Sequence, residues 1–386
     1  DYAHLGFVEA IEDLASFIGV EVPRELDPNY AAKPVVDSAG IYQTLEAVAG
    51  YYAEQLRSEA GQKAVNYLKQ RGVTGLMAKT YDLGYALPNW DALLARFDRQ
   101  KLLEAGLAVQ KEDGKIYDRF RDRLMFPIRD KRHRVIGFGG RVLDDSLPKY
   151  LNSPETAVFS KGKEVYGLSE LLDADSKPQR ILMVEGYMDV IALAQYGLRY
   201  AVAALGTATS KNHMDMLFRF TPELVFCFDG DRAGRQAAWK AVEAALPSLR
   251  DGRQVKIMLL PQGHDPDSLV RDEGLNVFEE RIQKAQSLSD YFFAHLSENT
   301  DFDVAEGRAK FLASAKPYLE KIPPGFFRDI MLARLQELTG TSFKPKNVVS
   351  DFKKLKKPSS KGSSLMRKLL ALLLQYPQFA KLIDPA

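Results

Sequence analysis

The sequence holds a single cysteine, Cys227, among 386 residues. One thiol excludes an internal disulfide and any zinc site built from several thiolates. Cys227 lies inside the apolar run Phe226-Cys227-Phe228, where it reads as a small core side chain and fits a reducing compartment. No apolar run reaches the length that spans a bilayer, and the N-terminus lacks the charged and apolar regions of a signal peptide. Histidine is scarce. His4, His133, His213, His264 and His295 make no i, i+4 pair, and no Ser-His-Asp order stands out, so a His-rich metal site and a serine-hydrolase triad have no support. His264 reads as a solvated loop residue. No internal repeat is present. Net charge is also nearly absent, with 53 basic against 51 acidic side chains and a balance of +2. The distribution of charge therefore carries more information than its sum. Apolar and charged fractions of 46% and 27% are ordinary for a soluble globular protein, and the length allows two or three domains.

What is present is acid at the ends of apolar runs. Glu185 ends Ile181-Leu182-Met183-Val184, and Asp229 and Asp231 end Leu224-Val225-Phe226-Cys227-Phe228. Asp265 and Asp267 follow Val255-Lys256-Ile257-Met258-Leu259-Leu260 after a short loop. Apolar runs backed by turn signals predict buried parallel strands. Ligands of open α/β sheets sit outside the carboxyl ends of such strands. At least five carboxylates are thus expected on one sheet edge, an arrangement that calls for cations, and an all-oxygen set suits Mg²⁺ or Mn²⁺. Asp189 stands four residues beyond Glu185, and a helix starting near Gly186 places both toward the strand ends. Taken singly, Asp229-Gly230-Asp231 is also what a strand-to-helix turn with an acidic helix N-terminus looks like. Its recurrence as Asp265-Pro266-Asp267 one strand later favours the metal reading.

Around this stretch the pattern is ordered. Phe7 to Ile18 has helical periodicity and 27–34 reads as a linker. Helices are expected at 37–58 and 61–70, the second closed by Gly72. Between 119 and 141, Arg119, Arg121, Arg123, Arg129, Lys131, Arg132, Arg134 and Arg141 face only Asp122 and Asp130, interleaved with strand-like residues. A basic β-rich platform is a candidate polyanion surface, and a solvated strand face is the alternative. Gly137-Phe138-Gly139-Gly140-Arg141 lacks dinucleotide-loop spacing and reads as a strand held close to a backbone, with Arg141 toward phosphate. Lys149, Lys161 and Lys163 sit in irregular segments. Strands at 181–184, 200–205, 224–228 and 255–260 alternate with helices at 187–196, 210–219 and 232–249, which predicts a parallel sheet with crossover helices. From 276 to 340 the pattern is helical, and 353–364 is a basic, Ser-rich linker before an apolar helix starting at Leu365.

Val184-Glu185-Gly186-Tyr187-Met188-Asp189, 226–241 (FCFDGDRAGRQAAWKA) and 263–270 (GHDPDSLV) resemble the Toprim domain of bacterial DnaG-type primases. The blocks 119–130, 135–143 and 148–156, with 67–72, resemble the basic subdomain of the same family. The resemblance covers nearly the whole chain. It implies an α/β fold, α+β overall, with a Rossmann-like parallel Toprim sheet flanked by a basic mixed α/β N-terminal subdomain and a C-terminal helical subdomain. The boundaries it implies are a linker at 1–30 after a zinc-binding domain that is lacking here, the basic subdomain at 31–168 and the Toprim subdomain at 169–287. A helical subdomain at 288–352, a linker at 353–364 and the start of a helicase-binding domain at 365–386 follow.

The resemblance further implies RNA primer synthesis on single-stranded DNA from NTPs by a monomer in the bacterial cytoplasm, at the replication fork. Two or more Mg²⁺ or Mn²⁺ ions are implied, without zinc. Glu185, Asp229 and Asp231 would be catalytic and bind metal, with Asp189, Asp265 and Asp267 supporting or sharing the sites, and Glu185 either ligand or general base. Arg71, Arg141, Lys149 and Lys161 would contact nucleotide or nucleic-acid phosphates. A replicative helicase would bind through the missing C-terminal part. The alternatives are another Toprim enzyme, a topoisomerase or nuclease, and a non-catalytic nucleic-acid-binding module.

Overall fold

The computed structural model describes residues 38–206, 208–298 and 300–340. The expected helices at 7–18 and from 365, and the linkers at 27–34 and 353–364, lie outside them. The first part runs through α1 (Ser38–Arg57), α2 (Gln62–Gln70), α3 (Gly75–Thr80), β1 (Gly84–Ala86), α4 (Arg99–Glu104), β2 (Ala108–Gln110), β3 (Ile116–Asp118), β4 (Arg123–Arg129), β5 (Val135–Val142) and β6 (Tyr150–Asn152). Strands β1, β4, β5 and β6 form an antiparallel sheet in the order β1-β4-β5-β6, and β2 pairs with β3. Alternating residues divide this sheet between two cores. Met125 and Phe138 pack under α1 with Leu45, Val48 and Tyr52, whereas Leu124, Phe126 and Ile128 face the second part of the chain. Pro127 interrupts β4 without harm because β1 pairs only with residues 123–125.

The second part contains α5 (Leu168–Ala174), β7 (Arg180–Val184), α6 (Tyr187–Gln195), β8 (Ala201–Ala203), α7 (Lys211–Leu217), β9 (Glu223–Phe228), α8 (Arg232–Ala245), β10 (Gln254–Leu259), α9 (Pro266–Glu273), α10 (Leu275–Gln283) and β11 (Gln286–Ser287). The sheet order is β11-β10-β9-β7-β8, with β10, β9, β7 and β8 parallel and β11 antiparallel at the edge. The near-continuous apolar runs of β7 and β9 follow from burial on both faces. Leu182, Val184, Val225 and Cys227 share one core with α6, α9 and α10. Ile181, Met183, Leu224, Phe226 and Phe228 share the other with α7, α8 and the last three helices, α11 (Leu288–Ser297), α12 (Ala305–Leu319) and α13 (Phe326–Thr339). Two expected elements are shorter than predicted. The strand at 200–205 holds its ladder only over Ala201–Ala203. The helix at 232–249 stops at Ala245, and Leu246–Ser248 form a 3₁₀ turn around Pro247, which has no N–H to continue the helix. Among the described residues no helix is long and apolar enough to cross a membrane.

Candidate active site

The strand order decides where the acids meet. β7 is followed by β8 on one side and β9 on the other, so the topological switch point lies between β7 and β9. Glu185 follows β7 there, Asp229 and Asp231 follow β9, and the Asp265–Asp267 turn follows β10 next door. Two glycines make the β9 turn possible. A Cβ on Gly230 would lie 2.0 Å from the Leu260 carbonyl oxygen, and one on Gly234 would lie 2.0 Å from that of Asp229. Asp231 caps α8, its Oδ1 accepting from Gly234 N at 2.7 Å, and Asp265 caps α9 by accepting from Ser268 N at 2.7 Å.

The carboxylates feel one another. Burial first, then the charges of Asp229 and Asp231, push the Glu185 carboxyl above its usual range. Burial, then Asp265 and Asp231, do the same to Asp229. Asp189 is pushed up to about 8 by burial and then by Asp265, against the opposing pull of the bond it accepts from Gly186 N at 3.0 Å. Asp265 ends below the usual range: burial raises it, but the Ser268 bonds and the charge of Arg71 outweigh burial. Asp267 is nearly buried and already neutralised, by Arg71 Nη1 at 3.1 Å and Arg271 Nη2 at 2.6 Å.

This donor set fits hard divalent cations. Its oxygens are carboxylate, and the carboxyls of Glu185 and Asp229 are raised by burial and, after it, by neighbouring negative charge that a cation relieves. Among the described residues no three His, Cys, Asp or Glu side chains already converge closely enough to ligate one ion. Mg²⁺ is commonly held by one or two carboxylates with substrate phosphate and water completing the shell. Glu185, Asp229 and Asp231 are the candidates for such carboxylates.

The basic residues divide. Arg71 is drawn into the acidic edge through Asp267, and its Nε donates to Tyr67 Oη at 3.1 Å. Arg141 is buried on the central strand β5, its guanidinium 4.4 Å above the Tyr67 ring and 5.7 Å from that of Tyr150. It thus stands under an aromatic cover instead of reaching into open solvent. Lys149 is exposed on the β5–β6 connection and Lys161 is half-buried in a turn. The platform is less free than its charge count implies. Arg123 is buried and donates to the Gly140 and Pro148 carbonyls, each at 3.1 Å. Arg129 pairs with Asp82 at 2.7 Å and Arg134 with Asp130 at 2.6 Å. Gly139 is pressed against a ring where a backbone was expected: a Cβ there would lie 2.5 Å from Tyr187 Cζ. Tyr187 Oη donates to Asn152 Oδ1 at 2.7 Å, and Asn152 Nδ2 to the Leu205 carbonyl at 2.9 Å, so the basic sheet is bolted to the strand ends.

One cluster escapes the sequence reading. Trp90 is 58% exposed, with the Arg121 guanidinium 4.0 Å above its ring and Tyr117 edge-on at 5.4 Å. Its sequence signal is a large aromatic in the polar segment Pro88-Asn89-Trp90-Asp91, one of only two tryptophans.

Acidic strand ends on this parallel sheet define a Toprim enzyme, and residues 182–270 match the family described as Toprim-like. Residues 51–172 match the N-terminal domain of the DNA primase catalytic core, and 289–343 match the DnaB-helicase binding domain of primase. The chain is 45% identical to a DNA primase of Pasteurella multocida over 99% of its own length and 68% of that protein. It is 52% identical to a DNA primase of Pseudomonas aeruginosa over 89% of its length, spanning 53% of that protein. A solved DnaG primase catalytic domain bound to single-stranded DNA is 47% identical, with a TM-score of 0.73, covering 78% of this chain and 98% of that one. The chain belongs to the bacterial DnaG-type DNA primases and carries their catalytic core. The topoisomerase, nuclease and non-catalytic alternatives are thereby set aside. The helicase-binding match falls on α11–α13, upstream of the 365–386 stretch where the resemblance located that domain and which lies outside the described residues.

Proposed function

We propose that this core synthesises short RNA on single-stranded DNA, joining the 3′-hydroxyl of one ribonucleotide to the α-phosphate of the next NTP with release of pyrophosphate. The observation that carries the reading is the grouping of Glu185, Asp229 and Asp231 at the switch point, with both Glu185 and Asp229 raised by burial first and then by neighbouring carboxylates, Asp229 and Asp231 for Glu185, Asp265 and Asp231 for Asp229. Bound Mg²⁺ or Mn²⁺, two ions or more, would supply a more acidic attacking hydroxyl and neutralise charge on the triphosphate. The protein's own groups do the rest. Glu185, Asp229 and Asp231 present the oxygens. Asp189, pushed up to about 8 by burial and then by Asp265, accepts from Gly186 N and holds the turn that carries Glu185. Asp265 fixes the start of α9, and Asp267 anchors Arg71 beside the cluster. Lys149 and Lys161 offer ammonium groups to phosphate, while Arg141 braces Tyr67 and Tyr150.

Template binding is proposed on the Trp90–Tyr117–Arg121 platform, since bases of any identity stack on exposed aromatic and guanidinium planes. The single-stranded DNA in the related solved domain supports this partner. A replicative helicase is a second proposed partner, through the α11–α13 region. The protein would act as a cytoplasmic monomer. The test is incubation with single-stranded DNA, labelled NTPs and Mg²⁺ or Mn²⁺. Wild type should yield short RNA and Asp229→Ala none. RNA made by the variant at the wild-type rate would sink the assignment.

A further inference from the structure

The turn that carries Lys161 is built in an unusual way. Both backbone groups of Lys161 are held by side chains from elsewhere. Its N–H donates to Glu155 Oε1 at 2.9 Å, and its carbonyl accepts from His213 Nε2 at 2.8 Å. The next carbonyl, of Gly162, accepts from Ser210 Oγ at 2.7 Å. Among the described residues no carboxylate pairs with the Lys161 ammonium. The root of this side chain is therefore fixed and its tip is left for a ligand.

His213 is fully buried in the first turn of α7, and its partners set its tautomer. The Ser210 N–H can only donate and meets Nδ1 at 3.2 Å, whereas the Lys161 carbonyl can only accept and meets Nε2. The ring must be neutral with its proton on Nε2, and burial pushes the group toward that neutral form. Met214 and Leu217 of the same helix share a core with Leu224, Phe226 and Phe228 of β9, the strand that Asp229 follows. The clamp thus ties the Lys161 turn to the sheet that carries the catalytic acids.

We propose that His213, with Ser210, is a positioning residue for NTP binding. It holds the Lys161–Gly162 backbone so that the Lys161 ammonium meets the triphosphate in register with the acidic edge. The inference rests on the reading of Lys161 as a triphosphate contact. His213→Leu removes both ring bonds at similar volume, and His213→Gln keeps an amide donor near the Nε2 position. Ser210→Ala releases the Gly162 carbonyl and also the α7 cap that Ser210 Oγ makes by accepting from His213 N at 3.2 Å, so its melting temperature is measured beside its KM.

Steady-state RNA synthesis at varied NTP decides the matter. His213→Leu should raise KM for NTP about tenfold, the scale of one lost buried hydrogen bond, with little change in kcat. His213→Gln should recover most of the loss. In a Lys161→Ala background, His213→Leu should leave KM where Lys161→Ala put it, since nothing remains to position. A His213→Leu effect that multiplies with that of Lys161→Ala, or that falls on kcat and melting temperature with KM unmoved, overturns the proposal while the Lys161 reading stands. Lys161→Ala with wild-type KM overturns both. Should His213→Leu fail to fold, Ser210→Ala carries the same cycle with a smaller expected rise in KM.

Discussion

Asp231 meets two needs that one substitution separates. As the N-cap of α8 it requires a side-chain oxygen, and asparagine caps as well as aspartate. As a member of the acidic edge it contributes a charge that raises Glu185 and Asp229. Asp231→Asn should therefore keep the cap and relieve the repulsion. In EDTA it should melt about 1–2 °C above wild type, the shift that roughly 1 kcal/mol gives in a chain of this size, while losing RNA synthesis. Excess Mn²⁺ should raise the melting temperature of wild type more than that of the variant. A variant that melts lower than wild type in EDTA, or equal Mn²⁺ stabilisation of both, would show that the acids do not form a crowded cation site. The acids themselves were legible from their positions behind apolar runs. The ring behind Gly139 and the aromatic cover over Arg141 were not, because each contact comes from a residue far along the chain.

At the scale of elements, the turn after α2 is tied to the second part by several polar connections, among them Arg271 Nη2 donating to the Arg71 carbonyl at 3.1 Å. Arg71 pairs with Asp267 of α9, and the Gln195 amide at the end of α6 spans the Gly72 carbonyl at 2.6 Å and the Thr74 N–H at 2.8 Å. Helices α6 and α9 carry Asp189 and Asp267, so the position of α2 and the shape of the acidic edge are linked. Arg71→Met leaves the nearly buried Asp267 with Arg271 alone. Because Arg71 is itself partly exposed, solvent screening keeps the cost to about 1 kcal/mol, measurable by urea unfolding. No loss of stability would mean that Arg271 suffices and that Arg71 is held in place for a ligand only. The elements were largely predictable. α1 and α2 fall within a residue or two of 37–58 and 61–70, since amphipathic periodicity is a local property. The short β1, β2, β3 and β6 are defined by partners and not by their own patterns.

Over the whole molecule, three acids outside the acidic edge give stability a pH dependence. Burial pushes Glu164 and Glu170 up to about 7 and Asp118 up to about 6. Asp130 adds to the rise of Glu164 against Lys131, Lys163 and Arg134, while Arg129 moderates Glu170. Unfolded carboxyls titrate near about 4, so between that value and the folded ones the folded state binds more protons. Stability should therefore be greatest below that window and fall as pH rises through about 7. Melting temperature measured from pH 5 to 8 should drop by several degrees, and Glu170→Gln should flatten the profile. An unchanged slope in Glu170→Gln would place the dependence elsewhere.

The sequence by itself determined the parallel strands, the acids at their ends, the core position of Cys227 and the helical tail, since burial on both faces demands unbroken apolar runs and turns demand polar residues and glycine. Only the tertiary structure decided that β10, β9 and β7 are neighbours, which turns three separate acidic turns into one edge. It also decided which charges are spent within the protein. Arg123, Arg129 and Arg134 look alike in a basic run, yet their partners are Gly140, Asp82 and Asp130. Arg71 and Asp267, 196 residues apart, cannot be paired from either one's surroundings. Periodicity is written between neighbours in the chain, whereas neutralisation is a matter of distance in space, and the fold alone sets that distance.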